Sequence, residues 1–188
     1  MLGPHDAFVH PFDDPVLWQG HATMIDEMAA AGPKPDAVVL AVGGGGLLCG
    51  VLEGLARNGW RDVPVVAVQT EGADSYARSV ALGRPVELPE ITSVATSLGA
   101  KRPCDAALEW ATRHAIETVV VSDAAAVAAS LRFLDEHRIV VEPACGAALA
   151  ALDTATPALA VASRIAVIVC GGVTATVEHL HALNSRGR

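Results

Sequence analysis

The sequence predicts an α/β fold in three layers: an open, mostly parallel sheet with helices on both faces, built by residues 1–188 as a single domain. Three observations predict it. Four short runs, near residues 37–42, 63–68, 117–121 and 165–170, are almost continuously apolar and rich in Val. Strands buried on both faces read this way, and sheets of such strands are parallel and covered by helices. Helical segments separate most of these runs, as crossovers between parallel strands require. The first run ends in four consecutive glycines, Gly43 to Gly46, and passes directly into a helical stretch.

Taken in order, residues 4–15 are rich in Pro, Asp and His and read as extended. Asp14-Pro15 opens a helix that runs through Trp18, Met24, Ile25 and Met28 to Ala31, where Gly32-Pro-Lys-Pro35 stops it. The first strand and its glycine turn follow, and the next helix ends near Asn58-Gly59. Val63 to Val68 is the second strand, and a short helix starts within Gly72 to Ser79. Gly83 to Gly99 has the length of a functional loop, punctuated by Pro85, Pro89 and Gly99. A helix from Cys104 to His114 leads to the strand Glu117 to Val121. Ser122 or Asp123 caps a helix that runs to about His137. After the short apolar segment Arg138 to Val141, Glu142-Pro143 places Pro at the start of an Ala-rich helix ending near Leu152. Ile165 to Cys170 is the last strand, Gly171-Gly172 its turn, and Thr174 to about Leu183 the last helix. No internal repeat or low-complexity linker interrupts the chain.

Composition narrows the function. A net charge of −8, with basic residues that form no block, argues against nucleic acid or an anionic membrane as partner. The four cysteines contain no C-x-x-C pair and read as reduced thiols in or near the core, as in a cytoplasmic protein. The start, Met1-Leu-Gly-Pro-His-Asp6, lacks the pattern of a signal peptide. The most apolar tract, Ala144 to Val173, is broken by Asp153, Pro157 and Arg164 and falls short of the ~20 apolar residues of a membrane span.

The glycine run carries the chemistry. A strand, a glycine turn and a helix bring backbone N–H groups together at the positive end of a helix, where an anion binds. The dinucleotide pattern G-x-G-x-x-G fails in both registers, because Leu48 and Cys49 occupy the sixth positions. No Gly-Lys-Ser/Thr triplet makes it a nucleotide P-loop. A plain tight turn remains the competing reading. His179 and His181, two apart on a helix, do not face each other and read as solvated residues. His21 reads as structural, and Ser122-Asp123 as a cap rather than part of a hydrolase triad.

The wider sequence adds a resemblance. Val42-Gly-Gly-Gly-Gly-Leu-Leu-Cys-Gly-Val51 resembles the phosphate loop of pyridoxal-phosphate-dependent serine/threonine dehydratases. Pro11-Phe-Asp-Asp-Pro-Val-Leu-Trp-Gln-Gly-His21, Leu88-Pro-Glu-Ile-Thr-Ser-Val-Ala95, Val141-Glu-Pro-Ala-Cys-Gly-Ala-Ala-Leu-Ala150 and Val167-Ile-Val-Cys-Gly-Gly172 resemble further motifs of that family, in matching order. The similarity is closest to the L-serine dehydratase branch, and Val-Cys-Gly-Gly argues against a threonine synthase relative.

The resemblance implies most of the large domain of a fold-type-II pyridoxal-phosphate enzyme, which eliminates the hydroxyl of serine or threonine to give a 2-oxo acid and ammonia. It implies that Gly43, Gly44, Gly45, Gly46 and Leu47 hold the cofactor phosphate through backbone N–H groups, and that Cys170 lies against the pyridine nitrogen. It implies a monovalent cation, potassium, on the carbonyls of Gly43, Ala73, Leu98 and Ala100, with Gln69 where some relatives carry a carboxylate. Glu71, two residues on, shares a strand face with Gln69 if the strand extends that far, and would then compensate for the missing charge. Glu142 and Cys145 fall in a family-like motif and read as helix-start architecture near the site. It implies a small amino-acid substrate and a homodimer for the complete enzyme.

The family binds its cofactor as a Schiff base to a lysine in an N-terminal Ser-x-Lys-like motif. The two lysines here, Lys34 and Lys101, lack that context, so no catalytic residue is assigned. The expectation is a C-terminal portion of a longer enzyme, inactive alone. The alternative is a non-catalytic remnant, or a phosphate-binding module that needs a partner chain.

Overall fold

The computed structural model describes residues 7–186, so the reading of Met1 to Asp6 lies outside the described residues. The chain forms α1 (Pro15–Ala31), β1 (Ala37–Ala41), α2 (Gly46–Arg57), β2 (Val65–Thr70), α3 (Ser75–Leu82), a 3-10 turn (Thr96–Leu98) and α4 (Asp105–Ala111). There follow β3 (Ile116–Val121), α5 (Asp123–His137), α6 (Pro143–Ala150) with a 3-10 extension (Ala151–Asp153), α7 (Pro157–Val161), β4 (Ile165–Val167) and α8 (Val177–Arg186). The four strands are all parallel, in the order β3-β2-β1-β4. In register, Val39 stands opposite Val66 on one side and Val167 on the other.

The two-residue period of a strand sorts its side chains onto two cores. Val39, Ala41, Val66, Val68, Val119 and Val121 pack against α5 and α6. Val38, Leu40, Val42, Val65 and Ala67 pack against α1, α2 and α4. The predicted three layers are therefore present. β1, an inner strand, is buried at all five positions, which is why its sequence contains no polar residue. α6 is likewise buried at all eight positions, which explains its Ala-rich sequence.

Glycine sets the spacing between α1 and α2. A Cβ at Gly54 would lie 2.7 Å from both the Ala22 carbonyl oxygen and Ile25 Cβ. The caps follow the sequence: Asp14 accepts from the Val16 N–H (2.9 Å) and Ser122 from the Ala125 N–H (3.2 Å).

Several boundaries differ from expectation, each for a physical reason. β2 begins at Val65 rather than Val63, because Pro64 has no N–H and offers only its carbonyl, to the Val38 N–H (3.0 Å). α4 ends at Ala111, three residues before His114, whose ring turns away to bond the Val63 carbonyl (2.7 Å). β4 ends at Val167, although the Ile168 N–H still bonds the Val39 carbonyl (2.9 Å). α8 starts at Val177, behind a turn closed from the Ala175 N–H to the Gly172 carbonyl (3.0 Å). The sequence reading passed over α7. Its N-terminus is held by the Thr156 hydroxyl, which accepts from the Leu159 N–H (3.2 Å), and by Glu117 Oε1, which accepts from the Ala158 N–H (3.0 Å). Among the described residues, no helix is long and apolar enough to cross a membrane.

Candidate active site

A cleft of about 300 Å³ opens at the carboxyl end of β1, where open parallel sheets gather their ligands. Its floor is the loop Gly43 to Leu47, and its walls include Phe12, Leu98, Glu142, Cys145 and Cys170. The chain reaches it from the segment before α1, from the 3-10 turn, from the start of α6 and from the end of the β4 strand run.

The floor is shaped by what surrounds it. A side chain at Gly44 or Gly46 would run into Phe12, and one at Gly43 would meet Leu98 Cα and the Ser97 carbonyl, both at 3.2 Å. At Gly45 φ is +102°, and a Cβ would lie 2.6 Å from Ala107 Cβ. Four successive glycines are thus required by packing and, at Gly45, by backbone conformation as well. The Gly44 carbonyl is pinned by the Cys104 N–H (2.9 Å). The N–H groups of Gly43, Gly44, Gly45, Gly46 and Leu47, by contrast, have no hydrogen-bond partner among the described residues. Native proteins rarely leave a run of donors unpaired. Five of them line one cleft at the N-terminus of α2, a helix of 12 residues. That arrangement fits a multiply charged oxyanion such as a phosphate ester.

Opposite the loop sit two thiols. Cys170 is exposed to the cleft, three residues beyond β4 rather than at its end. Cys145, the third residue of α6, is buried, and its sulfur accepts from the N–H groups of Cys170 (2.8 Å) and Gly171 (3.4 Å). A hydrogen bond from the Cys170 thiol, helped by those two N–H groups, outweighs burial and lowers the Cys145 thiol to about 7. The same contact, with burial, pushes the Cys170 thiol up. Cys170 therefore stays a neutral thiol. Glu142 also lines the cleft, and its carboxylate receives the Thr174 hydroxyl.

Behind the loop, Cys49 and Cys104 form a second thiol pair. Their hydrogen bond raises the Cys49 thiol and lowers that of Cys104. All four cysteines are free, and three of them are buried.

The four residues expected to hold a cation do not present four free carbonyls. The Leu98 carbonyl accepts from the Ala100 N–H (2.8 Å), and the Ala100 carbonyl from the Ser75 hydroxyl (2.8 Å). Ala73 is buried just before α3. Gln69 is fully buried with both amide atoms engaged: Nε2 donates to the Val42 carbonyl (2.9 Å) and Oε1 accepts from the Ala77 N–H (2.8 Å). Glu71 lies just beyond β2, which stops at Thr70, and is exposed. Among the described residues, no group of three or more His, Cys, Asp or Glu could hold a metal ion, and His179 and His181 are both exposed. His21 reaches the cleft edge while its Cβ packs on Gly50. Neither lysine reaches the cleft. Lys34 pairs with Asp62 (2.6 Å), and Lys101 donates to the Pro89 carbonyl (2.8 Å).

Sequence reasoning missed Phe12, and it read Cys145 and Glu142 only as helix-start residues. Phe12 left no signal beyond its place in an ordered motif. Cys145 left one: a thiol in the first turn of a helix that opens with Pro143.

Comparison with known proteins agrees with this geometry. The family profile described as pyridoxal-phosphate dependent enzyme matches residues 3–171. The L-serine dehydratase/L-threonine deaminase of Bos taurus is 47% identical over 96% of this chain, which spans 58% of that protein. The serine dehydratase-like protein of Mus musculus is 49% identical over 97% of this chain and is spanned to 59%. The crystal structure of a fungal L-serine ammonia-lyase from Rhizomucor miehei superposes with a TM-score of 0.90 at 32% identity, covering 99% of this chain and 61% of that one. The chain thus spans about three fifths of the length of these relatives. With the profile matched over most of its length, the chain belongs to the family of pyridoxal-phosphate-dependent enzymes.

Proposed function

We propose that this chain forms the cofactor-phosphate part of an L-serine or L-threonine dehydratase, which releases ammonia and leaves pyruvate or 2-oxobutanoate. The observation that carries the proposal is the row of five unpartnered N–H groups on the cleft floor. Gly43 to Leu47 would hold the phosphate of pyridoxal phosphate through them, with the N-terminus of α2 adding its positive potential. When bound, that cofactor supplies the electron sink for the elimination.

The chain's own residues orient it. Cys170 would meet the ring nitrogen as a neutral thiol, a weak donor once its single S–H turns from the Cys145 sulfur to the ring. Phe12 and Leu98 shield the phosphate loop from water. Potassium on the carbonyls of Gly43, Ala73, Leu98 and Ala100 belongs to the same proposal. Since Gln69 carries no charge and its oxygen already receives the Ala77 N–H, the ion would rest on neutral oxygens alone and bind weakly. The proposal also places the complete enzyme in the cytoplasm as a homodimer.

Because Lys34 and Lys101 both lie away from the cleft, these 188 residues are expected to bind the cofactor without turning over serine. The test is an absorbance titration of the purified chain with pyridoxal phosphate and with pyridoxal, beside a pyruvate assay. Tight binding of the phosphorylated form only, with no pyruvate from the chain alone, is the expected result. Equal binding of both forms would remove the phosphate loop from the argument. Pyruvate formation would show that one of the two lysines serves after all.

A further inference from the structure

We propose that Cys145 and Cys170 form a peroxide-reactive dithiol whose oxidation to a disulfide withdraws the Cys170 thiol from the cofactor cleft. The geometry is specific to this pair. Two backbone donors converge on the Cys145 sulfur, the Cys170 N–H at 2.8 Å and the Gly171 N–H at 3.4 Å, and the Cys170 thiol lowers the Cys145 thiol further. The first turn of α6 adds its positive end, the setting in which a thiol becomes reactive. Glu142, beside it, acts against this, but the donors prevail. Cys145 is buried behind Cys170, and both line the cleft, with Cys170 exposed there. One thiol is therefore accessible, and the sulfur of the other lies against the backbone of the first.

The Cys145 sulfur lies 2.8 Å from the backbone nitrogen of Cys170, so the two residues are direct neighbours in space. Cys49 and Cys104 touch in the same way, but both are buried and neither lines the cleft, so the same oxidant does not reach them.

The chemistry closes with hydrogen peroxide as the oxidant. Cys145 takes the thiol proton of Cys170 as the Cys170 sulfur attacks one peroxide oxygen. The O–O bond breaks, and the departing hydroxide takes that proton from Cys145 and leaves as water. Cys170 is then a sulfenic acid and Cys145 again a thiolate. The Cys145 sulfur attacks the Cys170 sulfur, the S–O bond breaks, and the hydroxide released is protonated by solvent. Two thiol sulfurs are oxidised, one peroxide is reduced to two waters, and a dithiol reductant reverses the reaction. In the disulfide, Cys170 has no S–H to offer a ring nitrogen and its sulfur is drawn toward α6. This consequence rests on the cofactor reading above, whereas the disulfide itself does not.

The test uses the full 188-residue chain, treated with hydrogen peroxide, alkylated after denaturation and mapped by mass spectrometry. The expected product has lost two hydrogen atoms and carries a Cys145–Cys170 cross-link, with Cys49 and Cys104 still alkylated. In Cys145→Ser, which removes both the proton acceptor and the second sulfur, no cross-link is expected and Cys170 is expected to react more slowly, its product being trapped by dimedone as a sulfenic acid. Cys145 and Cys170 both remaining alkylatable, or a cross-link between Cys49 and Cys104 instead, would overturn the proposal. Pyridoxal phosphate affinity is expected to fall about tenfold or more on oxidation and to return with dithiothreitol. Bound cofactor should in turn protect the pair from peroxide. A disulfide that forms equally fast with cofactor present would remove the cofactor from Cys170 while leaving the dithiol in place.

Discussion

Gln69 and Val42, on neighbouring strands, are joined by a buried hydrogen bond from the Gln69 amide nitrogen to the Val42 carbonyl (2.9 Å). The amide oxygen takes the Ala77 N–H, so the orientation of the side chain is fixed. This one residue ties the start of the phosphate loop to α3. Glu in its place would turn an acceptor toward an acceptor in a buried site. Gln69→Glu should cost about 3–5 kcal/mol, since it buries an unpaired charge. That corresponds to a fall in Tm on the order of 10 °C. If the neighbouring carbonyls can take potassium, the ion restores part of that loss and tetramethylammonium does not. Identical melting curves in the two salts would count against a cation there.

Gly45→Ala forces a side chain into a left-handed backbone and against Ala107 Cβ at 2.6 Å. Strain and overpacking together should cost about 2–4 kcal/mol and abolish pyridoxal phosphate binding. Gly59→Ala is the control, with a φ of +72° but open space around it. It should lose only about 1–2 kcal/mol and bind the cofactor normally. Differential scanning calorimetry and an absorbance titration read both.

Gly54→Ala sets two effects against each other. Alanine favours a helix over glycine by about 1 kcal/mol. The new methyl group meets the Ala22 carbonyl oxygen and Ile25 Cβ at 2.7 Å, backbone and core rather than a mobile tip. Overpacking of that kind costs about 1–3 kcal/mol, so the net sign should be destabilising. A higher denaturation midpoint in urea would show that α1 can simply slide outward.

Cys145 gives stability a pH dependence. Its thiol is lowered to about 7 in the folded chain by the Cys170 thiol and the N–H groups of Cys170 and Gly171. A lowered acid stabilises the fold above its unfolded value, near 9, and loses that contribution as pH falls through about 7. Cys170 is shifted the other way and opposes the gain once the unfolded chain ionises above the usual thiol range. Stability from this pair should therefore rise from pH 6 to about 8.5 and then level or decline. Thiolate absorbance near 240 nm should show a midpoint of about 7, absent in Cys145→Ser.

Asp36 acts at lower pH. Its carboxylate receives the N–H groups of Arg164 (2.8 Å) and Ser163 (2.9 Å), which hold it below the usual carboxylate range. It ties the entrance of β1 to that of β4, so its stabilisation is present above the unfolded value and lost as pH falls through the lower folded one. Asp36→Asn should lower Tm at pH 7 and make little difference at pH 2.

The strand layers were legible because burial on both faces leaves an unbroken apolar run, as in Ala37 to Val42. The glycine loop was legible because only glycine fits between Phe12, Leu98 and Ala107. Ser122 announced its helix through a short side chain that can reach the Ala125 N–H. What escaped depends on contacts between distant residues. α7 is short, and one of its two caps, Glu117, comes from another strand. The saturation of Gln69 depends on Val42 and Ala77, one on β1's end and the other on α3. No local pattern announced that the Cys145 sulfur, 25 positions away, accepts the backbone N–H of Cys170. Strand ends at Pro64 and Val167 were misjudged because apolar residues continue where ladder hydrogen bonds do not.

Phe12 has a bearing beyond shape. The glycine loop is confined by Phe12 from before α1, by Leu98 from the 3-10 turn and by Ala107 from α4. No one of these segments makes the loop alone, so its five donors converge only once all have docked. Anything that grips those donors is thereby linked to the cooperativity of the whole chain. A bound anion present at 100 times its dissociation constant adds about 2.7 kcal/mol to global stability. Amides far from the cleft, in β2 and α6, would then exchange more slowly with solvent deuterium although the anion touches neither.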